Sequence, residues 1–177
     1  MKLQITHYQL QTNRGFTLIE LLLYIAVASV ILLTISAFLS TLLESRVKNQ
    51  TIAEVESHGT QVMQLITQTL RNGATINSPA TGASAATLSV NTYTGANNPT
   101  IFDLSGGVIR IKEGASATVD ITNARVTASA LNFQNFSRAS TPDTIRVTFT
   151  FTYVNSSGRN EYNFSKTFIE SASLRQP

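Results

Sequence analysis

The sequence contains no cysteine and no tryptophan, only two histidines, and few charged residues. The absence of cysteine excludes disulfide bonds, a thiol nucleophile, and Cys-ligated zinc or iron–sulfur sites. The two histidines, His7 and His58, are too few for a three-His metal centre and for most His-based catalysis. The composition therefore argues against an enzyme and predicts no metal and no other cofactor.

The charge balance argues against a nucleic-acid partner. The 177 residues include 13 Lys or Arg and 10 Asp or Glu, so that only 13% of the chain is charged. This is about half the usual share. The net charge is +3, and no stretch clusters its basic residues as a nucleic-acid-binding face would. The length fits one folded domain with an additional segment.

Residues 21–43 form an uncharged apolar run that contains neither Gly nor Pro, LLLYIAVASVILLTISAFLSTLL. As a helix this run would be about 34 Å long, enough to cross a hydrocarbon core of about 30 Å. The chain then turns polar, and the remaining part, about 130 residues, is large enough for a hydrophobic core of its own. The sequence therefore predicts a short leader, one membrane-length helix and a folded head.

Three interpretations of this N-terminal segment compete. A secretory signal peptide would need a shorter apolar run and a small-residue cleavage site after it, but here the run continues into Leu-Leu-Glu-Ser-Arg at residues 42–46. A plain membrane anchor does not explain Glu20, because a lone carboxylate in a membrane helix costs about 2.5–3.5 kcal/mol. Arg14 lies six residues before Glu20, which is not a pairing distance on a helix. The third interpretation must give Glu20 a role.

The residues around Glu20 carry a family resemblance. The segment Arg-Gly-Phe-Thr-Leu-Ile-Glu at residues 14–20, followed by the long apolar run, resembles the prepilin signature of type IV pilins and type II secretion pseudopilins. The resemblance implies that a membrane aspartic protease, the prepilin peptidase, cuts between Gly15 and Phe16 and then methylates the amine of Phe16. The leader, residues 1–15, carries Lys2 and Arg14, which fits a cytoplasmic flank.

Glu20 would then be the fifth residue of the mature chain. The new amine of Phe16, four residues away, is close enough to help neutralise the carboxylate, and in a helical bundle the amine of a neighbouring subunit could pair with it instead. Removing one partner of a buried ion pair costs about 3–5 kcal/mol. We therefore expect Glu20 to act in subunit assembly and register.

The resemblance also implies a function and a set of partners. The chain is expected to be a structural subunit of a type IV pilus, type II secretion or competence filament. Its partners would be the prepilin peptidase, other pilin-like subunits, an inner-membrane assembly platform and membrane lipid. It would cross the inner membrane once, with its head outside the cytoplasm, before joining the filament. The absence of a proline before Pro79, and of a disulfide, favours a minor subunit over a major one.

The expected organisation has four parts: a leader at 1–15, a membrane and filament-core helix at 16–43, an amphipathic half of that helix at 44–72, and a β-rich head at 73–177. The fold class is α+β, with the long helix packed on an antiparallel sheet. Asn72-Gly73 is a plausible helix stop, and Gly59 should weaken the helix by about 1 kcal/mol. Residues 73–84 are predicted to be a loop.

Short strands are predicted after this loop, at residues 87–93, 107–112, 117–122, 130–136, 143–154 and 161–169. The fifth is the clearest, because its apolar and polar residues alternate strictly. Strands five and six should form a hairpin. Gly106-Gly107 is predicted to be a turn, and His58 to serve packing or the surface.

An alternative function is a tip binding module, an adhesin or a DNA-uptake pilin whose head contacts a ligand. This would need the basic residues of the head to share one face, namely Arg110, Lys112, Arg125, Arg138, Arg146 and Arg159. Loss of Lys2 and Arg14 with the leader would leave 11 basic and 10 acidic residues, a net charge of only +1. That weakens DNA binding, which relies on neutralising phosphates.

Overall fold

The computed structural model describes residues 15–175. Its single α-helix, α1, covers Leu18–Arg71 and ends where Asn72-Gly73 predicted. The apolar part of α1 has a mean hydropathy of 2.6 over 18 residues and is long and apolar enough to cross a membrane. The chain divides between Leu43 and Glu44 into two compact units.

The second unit contains two antiparallel sheets. The first has five strands in the order β1-β3-β4-β5-β6. Their bounds are Gly73–Ser78, Leu88–Thr92, Thr100–Ser105, Val108–Glu113 and Val119–Asp120. The second has four strands in the order β2-β7-β8-β9. Their bounds are Ser84–Ala85, Val126–Asn135, Thr144–Tyr153 and Ser165–Ser173.

One hydrophobic core joins both sheets to the part of α1 that follows Glu44. The helix contributes one buried face, and its apolar members are Val55, Val62, Met63, Ile66 and Leu70. The largest buried side chains of the sheets are Phe102, Phe133, Phe149 and Phe151. The predicted α+β, pilin-like fold is therefore confirmed, with two sheets where the sequence analysis expected one.

The alternation predicted for the fifth strand is confirmed in β8. Its residues Ile145, Val147, Phe149 and Phe151 are all fully buried. The intervening residues are exposed or half-buried, and β8 pairs with β9 at nine successive positions. The predicted hairpin therefore forms, although β9 begins at Ser165, four residues later than expected.

One prediction for the head was wrong, and one strand was missed. Residues 73–84 are not a continuous loop, because they contain β1 and the start of β2. The sequence analysis also missed β4, which pairs with β3 on one side and with β5 on the other. Neither β1 nor β4 has the strict alternation by which β8 was recognised, so pairing with neighbouring strands defines both. The predicted turn at Gly106-Gly107 joins β4 to β5, and both glycines have positive φ, +59° and +80°.

Candidate processing and assembly site

The bond expected to be cut lies in exposed, non-helical chain. Gly15, Phe16 and Thr17 precede α1 and belong to no regular element, and Phe16 is 72% exposed. Among residues 15–175, no atom lies within 4 Å of the place where a side chain on Gly15 would begin. A protease could therefore reach the Gly15–Phe16 bond. Lys2 and Arg14, like the rest of residues 1–14, lie outside the described residues.

Thr17 and Glu20 together start the helix. The Glu20 backbone N–H donates to Thr17 Oγ1 at 3.3 Å, as the third helical residue does to an N-cap side chain. Thr-x-x-Glu is the sequence of a capping box, and a carboxylate in the first turn also interacts favourably with the helix dipole. The sequence analysis missed this role, although the Thr-x-x-Glu spacing is visible in the sequence.

Tyr24 is a second contact of Glu20 that the sequence analysis missed. The Tyr24 hydroxyl donates to Glu20 Oε1 at 3.3 Å, and the Tyr24 ring meets the Phe16 ring edge-on with centroids 5.9 Å apart. Within residues 15–175, no basic side chain forms an ion pair with Glu20. Tyr24 therefore contacts both Phe16, the expected new N-terminus, and the carboxylate of Glu20. Its i+4 spacing from Glu20 is the sequence feature from which the second contact could have been predicted.

Three of the five serine and threonine side chains in residues 21–43 of α1 bond to carbonyls of the same helix. Ser29 Oγ donates to the carbonyl of Ile25 at 2.7 Å, and Thr34 Oγ1 donates to the carbonyl of Ile31 at 2.8 Å. Thr41 makes the same kind of bond at 2.8 Å. In hydrocarbon, where water cannot bond these hydroxyls, such internal bonds are required. These three hydroxyl residues are therefore compatible with a membrane helix.

The basic residues of the head lie on different elements and several are paired. Arg110, in β5, makes two bonds to the Asp103 carboxylate, at 2.8 and 2.7 Å, and this contact raises the pKa of Arg110. Arg125 pairs with Glu54 at 3.2 Å and Arg159 pairs with Glu161. The Arg146 guanidinium, in β8, lies 4.5 Å from the centre of the Phe136 ring. This distribution gives no support to a single basic face for DNA.

His58 connects α1 to the segment between β6 and β7. Its Nε2 atom lies 2.7 Å from Asn123 Nδ2 and 3.5 Å from Glu54 Oε1. His58 and Glu54 line a cleft of about 770 Å³ that Tyr153 and Tyr162 also border. No group of three metal-ligating side chains occurs in the part of the chain that the structure describes. The position of His58 fits the packing role that was predicted.

Comparison with known families gives one match. Residues 10–36 match the prokaryotic N-terminal methylation motif. No curated protein and no solved structure matches the chain. The chain therefore resembles pilins: a prepilin-type cleavage and methylation motif is joined to a long apolar helix and an antiparallel β head. Proteins of this kind are structural and not enzymes, and the motif implies processing by a prepilin peptidase.

Proposed function

We propose that this chain is a minor subunit of a type IV pilus, type II secretion or competence filament, cut between Gly15 and Phe16 and methylated on Phe16. The observation that carries the proposal is the order of features at the start of α1. An exposed glycine peptide bond is followed at once by a capped helix, a carboxylate in its first turn and a membrane-length apolar run.

Glu20 is proposed as the assembly residue. Cleavage would place an amine on Phe16, whose ring already contacts the tyrosine that binds Glu20. In the filament the carboxylate would pair with the methylated amine of its own chain or of a neighbouring subunit. A carboxylate brought into an apolar bundle is stable only with such a partner.

The remaining parts of the proposal are the location and the type of subunit. The leader would stay in the cytoplasm, residues 16–43 would cross the inner membrane, and the head would lie outside the cytoplasm before and after assembly. The inner-membrane platform and other pilin-like subunits would be the assembly partners. The lack of proline throughout α1 and of cysteine in the whole chain supports a minor subunit.

Processing is tested by intact mass and N-terminal sequencing of the chain expressed with and without a prepilin peptidase. We expect a mature chain that begins at methylated Phe16, only when the peptidase is present. Gly15→Val should abolish the cut, whereas Gly95→Val should leave it unchanged. Gly95 is another exposed glycine, and no atom of the described residues lies within 4 Å of its Cβ position. A chain that keeps residues 1–15 with the peptidase present would refute the proposal.

Assembly is tested separately with Glu20→Gln, which keeps the shape of the side chain and removes its charge. We expect normal cleavage but a loss of about tenfold or more in the amount incorporated into filaments, because the paired charge is missing. Glu44→Gln is the matched control, since Glu44 lies on the same helix and is exposed. Equal incorporation of Glu20→Gln and wild type would exclude an assembly role for Glu20.

A further inference from the structure

Tyr24 contacts both of the residues between which the assembly charge pair is expected. Glu20 and Tyr24 are four residues apart on α1, and side chains with this spacing share one face of a helix. Helical side chains lean toward the N-terminus, so Tyr24 reaches back over Glu20. Its hydroxyl donates to Glu20 Oε1 at 3.3 Å, and its ring meets the Phe16 ring at an angle of 74°.

The uncut chain has no amine at Phe16. As long as Gly15 and Phe16 are joined, the nitrogen of Phe16 is an uncharged amide and cannot neutralise a carboxylate. Within residues 15–175, no basic side chain forms an ion pair with Glu20. In this part of the chain, the side-chain donor that reaches the Glu20 carboxyl group is the Tyr24 hydroxyl. Before cleavage, Tyr24 therefore has a function that the amine can take over only later.

The position of Glu20 makes a bonding partner necessary. Glu20 directly precedes the uncharged apolar run at residues 21–43. In hydrocarbon, water does not satisfy polar groups, and a polar group buried without a hydrogen bond is strongly unfavourable. A hydrogen bond to a charged acceptor is stronger than one between neutral groups. Tyr24 supplies such a bond from within the same helix.

The Tyr24 hydroxyl differs from the other hydroxyl groups of the apolar segment. Ser29, Thr34 and Thr41 donate to carbonyls of their own helix. Within the described residues 18–43, the bond from Tyr24 to Glu20 joins two side chains, and no other hydrogen bond of this segment does so. The edge-on contact with the Phe16 ring is a favourable geometry for aromatic rings, and it helps to hold the Tyr24 side chain in this place.

We propose that Tyr24 is a positioning residue for Glu20. Its hydroxyl holds the Glu20 carboxyl group in the uncut chain, until cleavage creates the amine of Phe16 and this amine takes its place. The inference rests on the proposed function, because only cleavage after Gly15 supplies the amine. Tyr24 then acts before assembly, whereas the charge of Glu20 acts during it.

The test is the lifetime of the full-length chain in the inner membrane, measured by pulse labelling in cells that lack both the prepilin peptidase and the assembly platform. Tyr24→Phe removes the hydroxyl and keeps the ring. We expect it to shorten the lifetime about threefold or more, because the carboxyl group loses its hydrogen bond. Thr34→Val is the matched control. It removes a hydroxyl that bonds only to the Ile31 carbonyl, and it should leave the lifetime unchanged.

Two further comparisons separate this role from a general structural one. When the peptidase is present, Tyr24→Phe should have the lifetime of the wild type, because the Phe16 amine now pairs with Glu20. In the uncut chain with Glu20→Leu, Tyr24→Phe should have no effect, since leucine needs no hydrogen-bonding partner. A tyrosine that only anchors the helix at the membrane surface would affect all of these chains equally.

NMR spectroscopy of the uncut chain in detergent micelles provides a second measurement. With isotope-labelled glutamate, the side-chain carboxyl signal of Glu20 can be assigned because it is absent in Glu20→Leu. This signal should shift in Tyr24→Phe and stay in place in Thr34→Val. An unchanged signal in Tyr24→Phe would overturn the inference.

The outcomes distinguish this inference from the proposed function. Equal lifetimes of Tyr24→Phe and wild type in the uncut chain would overturn the inference and leave cleavage and assembly standing. A loss that persists after cleavage, or that is equal in the Glu20→Leu background, would also overturn it. A chain that is never cut after Gly15 would contradict the proposed function and, with it, the replacement of Tyr24 by the amine.

Discussion

Gly59 lies where α1 meets β9, and it has two opposite effects on stability. In a helix, alanine is more favourable than glycine by about 1 kcal/mol. A Cβ at position 59, however, would approach Phe168 Cζ to 2.0 Å. We therefore expect Gly59→Ala to destabilise the head by about 1–3 kcal/mol, because overpacking outweighs the gain in helix propensity.

The measurement is urea unfolding of the purified chain followed by circular dichroism. Thr60→Ala, at the adjacent exposed helix position, is the control and should change stability by less than about 0.5 kcal/mol. Combining Gly59→Ala with Phe168→Leu should recover part of the loss, since the smaller side chain vacates the space. A stabilised Gly59→Ala protein would contradict the contact between Gly59 and Phe168.

Ala130 has a positive φ of 52°, in the segment of β7 where the register with β8 shifts. The irregular segment lets Leu131 enter the core, where it is buried. The left-handed conformation costs a residue with a side chain about 1 kcal/mol or more, and glycine adopts it freely. We expect Ala130→Gly to stabilise the head by about 0.5–1 kcal/mol, and Ser129→Gly, at a regular exposed position, to destabilise it. Thermal unfolding of both variants measures these changes. A loss of stability in Ala130→Gly would contradict the prediction.

At the scale of the element, the two faces of β8 should respond differently to truncation. Phe149 is fully buried and stacks on Phe168 with ring centroids 5.3 Å apart, so Phe149→Ala should cost about 3–5 kcal/mol. Thr150 lies on the other face and bonds to Thr167 at 2.8 Å. Thr150→Ala should cost less than about 1 kcal/mol. Chemical unfolding of the two variants measures both values, and similar losses would show that the assigned faces are wrong.

Sequence could predict those elements whose own residues follow a recognisable local pattern. The strict alternation of β8 and the apolar run of α1 are visible in the chain itself. β1 has one large apolar residue, Ile76, and its pairing is reinforced by side-chain amide bonds between Asn77 and Asn91 at 2.7 and 2.9 Å. Such a strand is defined by a partner that is distant in sequence, so no local pattern could reveal it.

The candidate site could be proposed from the sequence alone, for a physical reason. Gly15, Phe16 and Glu20 lie within six consecutive residues, and a processing enzyme that reads an extended segment requires only local sequence. The contacts of Thr17 and Tyr24 with Glu20 follow helical spacing and were also accessible. The position of β9 at the edge of its sheet could not be predicted from sequence. The order of strands in a sheet decides which strand lies at an edge, and that order depends on the whole fold.

At the scale of the whole molecule, the domain boundary expected at residue 73 can be tested against the structural division after Leu43. A fragment of residues 73–177 would lose the buried helix residues Val55, Val62, Met63, Ile66 and Leu70. Each is worth about 1.5–3 kcal/mol of burial, and together they match the whole stability of a typical domain, about 5–15 kcal/mol.

We therefore expect residues 44–177 to fold cooperatively without the membrane segment, and residues 73–177 not to fold. Thermal unfolding and the dispersion of amide signals in NMR spectra of the two fragments measure this. The helix from Glu44 to Arg71 would then be part of the head's core, and the β-rich segment would depend on it. Cooperative folding of 73–177 would show that the sheets close a core of their own, with the helix only docked against it.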